Sequence, residues 1–78
     1  MNGLRIFIRP DQASIEDNVF YSQRSRGPIY RWHYEENLAR WHVMRVDVSH
    51  WSSHELCVAR WRSVPPALKV QLREHYVE

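Results

Sequence analysis

The run IYRWHYEENLARWHVMRVDV, residues 29–48, sets the architecture. From Ile29 to Tyr34 the residues alternate strictly, with Tyr30, Trp32 and Tyr34 on one side and Ile29, Arg31 and His33 on the other. A period of two marks a strand with two unlike faces. After Glu35-Glu36-Asn37-Leu38-Ala39 a second alternating run spans Arg40 to Val48, with Trp41, Val43 and Arg45 on one face and His42, Met44, Val46 and Val48 on the other. Two strands joined by so short a turn form an antiparallel hairpin. A slip of one residue would turn every side chain to the wrong face, so the faces fix the register. Pairing Tyr34 with Trp41, Trp32 with Val43 and Tyr30 with Arg45 gathers the large rings. The opposite face then pairs His33 with His42, Arg31 with Met44 and Ile29 with Val46.

Upstream, Leu4 to Arg9 reads as another strand, with Leu4, Ile6 and Ile8 on one face and Arg5, Phe7 and Arg9 on the other, ended by Pro10-Asp11. Val19-Phe20-Tyr21 reads as a short strand or a loop anchor. Ser22 to Pro28 (SQRSRGP) is polar, carries two arginines and a Gly-Pro pair, and reads as a loop.

Downstream, Ser52-Ser53-His54-Glu55 fits a capping box, and Trp51 with Leu56 fits the hydrophobic staple that accompanies one. A helix from about Ser53 to Arg62 is expected, with a third meander strand after the hairpin, Glu55 to Trp61, as the rival. Ser63-Val64-Pro65-Pro66 separates this element from the next, since proline is tolerated in a first helical turn. Ala67 to Tyr76 then reads as a helix with Leu68, Leu72, His75 and Tyr76 along one stripe. The expected class is α+β: one domain spanning residues 1–78, with a small antiparallel sheet covered by one or two C-terminal helices.

Composition narrows the function classes. The chain has 78 residues, 44% of them apolar and 26% charged, which is ordinary for a folded domain. A single cysteine closes no intrachain disulfide. No apolar run approaches the roughly 18 residues of a spanning helix, and the opening MNGLRIFIRP lacks a signal-peptide layout, so a cytoplasmic protein away from membranes is expected. A domain this small buries a modest share of its surface, and ten aromatic rings are the evident remedy. Those rings are therefore expected in the core.

Chemistry-bearing constellations are few. His50, His54 and Cys57 have the spacing H-x3-H-x2-C, but the expected cap separates His50 from the other two. No metal or other cofactor is expected. Cys57 beside any histidine makes a weak nucleophile–base pair, and no phosphate loop or nucleophile elbow is present, so a non-catalytic protein is expected. Ten of the eleven basic residues are arginine, and Arg31-Trp32-His33-Tyr34, Arg40-Trp41-His42 and Arg60-Trp61-Arg62 interleave cations with rings. Arginine, tyrosine and tryptophan are enriched at protein interfaces, and a small sheet has open edges. A protein–protein interaction module is the first expectation, self-association through an edge being one form of it. A nucleic-acid-binding sheet surface is the second. The expected contact residues are Arg24, Arg26, Arg31, His33, Arg40 and His42. With helices on the ringed face, the face of Arg31, His33 and His42, joined by Arg5 and Arg9, is expected to be the open one. Should His33 and His42 pair, protonating both would set like charges opposite each other and lower stability in mild acid.

Overall fold

A computed structural model describes residues 3–8, 18–46, 57–59 and 61–77, with backbone alone for Cys57 and Val58. The hairpin consists of β3 (Ile29–Glu35) and β4 (Arg40–Val46), paired antiparallel with Tyr34 opposite Trp41, Trp32 opposite Val43 and His33 opposite His42. This is the register that segregating the rings requires. Ala39 closes the connection at φ 50°, after Leu38 and Ala39 donate to the carbonyls of Glu35 and Glu36 at 3.3 and 3.2 Å.

Two further strands precede the hairpin, β1 (Leu4–Ile8) and β2 (Val19–Arg24). β1 to β4 form a meander, and the two-residue β5 (Cys57–Val58) returns antiparallel to the outer side of β1, giving the order β4-β3-β2-β1-β5. β2 bears out one of two alternatives and corrects one expectation. Val19-Phe20-Tyr21 is strand, and Ser22 to Arg24, read as loop, continues it; only Ser25 to Pro28 turn. Polarity was misleading here because Ser22 is fully buried and hydrogen-bonded rather than solvated.

The expected helix from Ser53 to Arg62 is also corrected. Cys57 and Val58 are extended against Ile8 and Phe7, the Ala59 N–H donates to the Ile6 carbonyl at 2.7 Å, and Trp61–Ser63 form a single 3-10 turn. The rival strand reading was nearer, although its partner is β1 and not the hairpin. The capping box at Ser52–Glu55 and the staple of Trp51 and Leu56 lie outside the described residues. The other expected helix is present as α1 (Pro66–His75), with proline in its first turn, the Lys69 N–H donating to the Pro65 carbonyl, and the Tyr76 N–H closing on Leu72.

α1 packs on the ringed face. Leu68 and Leu72, one turn apart, are fully buried with Ile6, Phe20, Trp32, Trp41 and Val64, flanked by Leu4, Ile8, Tyr30, Tyr34 and Tyr76. Phe20 and Trp41 meet edge to face with centroids 5.8 Å apart. The other face of the sheet carries its own buried group, Phe7, Val19, Tyr21 and Ile29. That face is therefore not open throughout, as the sequence suggested. Its exposed residues are Arg5 on β1 and His42 and Met44 on β4.

Candidate functional site

β4 is the outermost strand on its side of the sheet, and no described strand lies beyond it. Backbone groups of an antiparallel strand point alternately toward and away from the neighbour. On β3 the Tyr34 N–H points to β2, where it donates to the Asn18 carbonyl at 3.0 Å. Its partner Trp41 accordingly points outward, as do Val43 and Arg45. At Trp41 both outward groups are taken: its N–H donates to Gln71 Oε1 at 2.8 Å, and Gln71 Nε2 donates to its carbonyl at 3.0 Å. α1 thus closes the edge at one residue. Val43 and Arg45 keep outward N–H and C=O groups with no hydrogen-bond partner among the described residues.

The side chains along this edge are open as well. Val43 is 37% exposed and Met44 64% exposed, and Arg40, His42 and Arg45 are exposed. β4 holds three basic side chains and no acidic one. Beside it, Trp32, Arg40, Trp41, Val43, Gln71, Glu74 and His75 line a shallow cleft of about 240 Å³ between the edge and α1. A second cleft of about 280 Å³ lies at the far end of the hairpin, lined by Asn18, His33, Tyr34, Glu35, Glu36 and Asn37.

The six expected contact residues do not form one patch. Arg31, His33 and His42 share the face away from α1, and Arg40 stands opposite Glu35 beside the β3–β4 loop. Arg26 is in the β2–β3 turn, at the other end of β3, about 20 Å away at 3.3 Å per residue. Arg24, paired with Leu4, points to the α1 side, where its charge acts on Tyr76. The residues that sequence reasoning missed are Gln71, Val43, Met44 and Arg45. No local pattern marks them, because strand order and the reach of a helical glutamine are properties of the assembled fold.

Under α1 a buried polar group joins helix to sheet. Trp32 Nε1 donates to Ser22 Oγ at 2.8 Å, and Ser22 Oγ shares a hydrogen bond with the Tyr76 hydroxyl at 2.7 Å. Burial pushes the Tyr76 phenol above its ordinary 10.0, although the Ser22 bond and nearby Arg24 pull the other way. His75 meets Tyr30, Trp32 and Tyr76 edge-on, with centroids 4.6, 5.3 and 4.7 Å away. Among the described residues no three of His, Cys, Asp and Glu converge on a metal-sized space, and His50 and His54 lie outside them. No described helix is long and apolar enough to cross a membrane. No family model, curated protein or solved structure matches the chain.

Proposed function

We propose that this chain is a small, non-catalytic, cytoplasmic protein-interaction module that engages its partner by adding a strand to the free edge of β4. One observation carries the reading: among the described residues β4 is a seven-residue edge strand with no partner for the outward groups of Val43 and Arg45, and with its apolar and basic side chains exposed around them. Strand addition draws affinity from backbone hydrogen bonds and specificity from alternate side chains, which is what such an edge provides. The placement of the rings supports this reading over a nucleic-acid surface. Trp32 and Trp41, which a stacking platform would present, are 2% and 5% exposed beneath α1. Trp61 is open, with Lys69 Nζ and Arg73 Cζ 5.5 and 5.8 Å from its ring centroid, but no second ring stands beside it among the described residues.

The test is a displayed library of random linear octapeptides selected against the wild-type chain and against Val43→Pro. Proline removes an outward N–H and no ladder bond, so the fold should stand, as an unchanged amide spectrum would verify. Peptides that bind wild type and lose the Val43→Pro variant support the edge. A selection that enriches nothing, or only peptides indifferent to Val43→Pro, overturns it. Sedimentation at 100 micromolar shows whether a second copy fills the edge instead.

A further inference from the structure

Which partner the edge selects follows from its charge and its open groups, and the inference rests on the interaction reading above. We propose that the β4 edge takes an extended acidic segment of a partner protein, paired antiparallel across residues 42–46 with carboxylates opposite Arg45 and His42. The register comes from the backbone. Gln71 occupies Trp41, so pairing begins at Val43, and the outward groups of Val43 and Arg45 accept a partner residue opposite each. The partner residue opposite Arg45 lies on the α1 face, and the one opposite His42 lies on the other face.

Charge chooses the chemistry. Arg40, His42 and Arg45 are exposed, and none of their side chains forms an ion pair or hydrogen bond among the described residues. Arg45 presents a fork suited to a carboxylate, and His42 supplies an imidazole donor. Between them Met44 and Val43 present apolar surface, Val43 beside the cleft below α1. Read antiparallel, the partner motif is acidic, apolar, apolar, acidic. A second copy of this chain fits the edge less well. Two β4 strands centred on Met44 would use the same backbone groups but bring the two Arg45 side chains within about 8 Å on one face. Cations on an edge strand discourage such self-pairing.

The experiment is an NMR titration of the ¹⁵N-labelled full chain with the capped peptide Thr-Glu-Val-Val-Glu-Thr, and with Thr-Lys-Val-Val-Lys-Thr and Thr-Ser-Val-Val-Ser-Thr. Amide shifts confined to residues 41–46 and 71–75 are expected with the glutamate peptide. Binding should weaken about five-fold in Arg45→Ala and again in His42→Ala. Arg45→Glu should turn the preference to the lysine peptide. Equal binding of all three peptides, abolished by Val43→Pro, overturns the acidic partner and leaves the interaction edge standing. No shift with any peptide at 1 mM, or shifts elsewhere on the chain, overturns both. A concentration-dependent dimer abolished by Val43→Pro assigns the edge to a second copy and overturns the acidic partner.

Discussion

Ser22 shows how one side chain reverses the local reading of a segment. Its hydroxyl accepts the Trp32 indole N–H and bonds the Tyr76 phenol, so a polar residue in mid-strand is fully buried and paired. Ser22→Ala would leave the Trp32 N–H buried without an acceptor, and losing a partner in that way costs about 1–3 kcal/mol. Tyr76→Phe removes one neutral hydrogen bond and leaves the indole satisfied, so it should cost less, about 0.5–1.5 kcal/mol. Urea denaturation of both variants checks the order, and a Tyr76→Phe loss larger than that of Ser22→Ala would contradict it. The same phenol sets an alkaline limit. Its folded pKa lies above the ordinary 10.0, so folding favours the protonated form. That contribution is complete below about pH 10 and is lost as pH rises through the folded value. Stability should therefore fall more steeply above pH 10 in wild type than in Tyr76→Phe, as melting temperatures between pH 8 and 11 would show. Equal slopes would mean that the hydroxyl titrates as if unfolded.

α1 meets the sheet through the leucine stripe, through Gln71 and, at its C-terminal end, through His75 and Tyr76, and the Gln71 link governs the edge. Gln71→Ala releases both outward groups of Trp41, costing about 1–2 kcal/mol if each hydrogen bond counts near the usual net value. The Trp41 amide should then exchange with solvent faster, while the amides of β2 keep their protection. Unchanged exchange at Trp41 would refute the link. Elements of this chain differed in how far they could be read from sequence. The β3–β4 register was legible because Tyr30, Trp32, Tyr34 and Trp41 leave one arrangement that keeps rings together. α1 was legible because Leu68 and Leu72 lie one turn apart after a proline start. Cys57–Val58 was legible only as the rival strand, since its pairing with Phe7 and Ile8 is distant in sequence and runs against a local helix-start pattern. The candidate site was legible only in part. Arg40 and His42 were visible as contact residues, whereas the backbone of Val43 and Arg45, without partners among the described residues, depends on β4 being last in the described sheet. Arg24 and Arg26 were grouped with them through composition alone and stand at the other end of β3.

Across the whole molecule, the one described α-helix closes a core of three rings and four aliphatic side chains, so much of the stability passes through a few contacts. Tryptophan fluorescence should report this layering. Trp32 and Trp41 are shielded, whereas Trp61 is 37% exposed between Lys69 and Arg73. Iodide, drawn by those cations, should quench Trp61 more strongly than caesium does, and Trp61→Phe should reduce that difference. Equal quenching by the two ions before substitution would mean that the cations do not gather at the ring. The larger dependence is on α1 itself. At roughly 0.05–0.15 kcal/mol per residue, a chain of 78 residues holds about 4–12 kcal/mol in total. Leu68 and Leu72 are each fully buried, and truncating a buried leucine to alanine removes about 2–5 kcal/mol. Either single variant should stay folded with a lowered urea midpoint. The pair are neighbours on one helix face, so their losses couple and need not add. Even so, Leu68→Ala with Leu72→Ala takes most of the available stability and uncovers Trp32 and Trp41 together. The double variant should lose its near-ultraviolet circular dichroism and its dispersed amide spectrum at 25 °C. If it kept both, with a cooperative transition less than 2 kcal/mol below wild type, the meander would be stable without the helix.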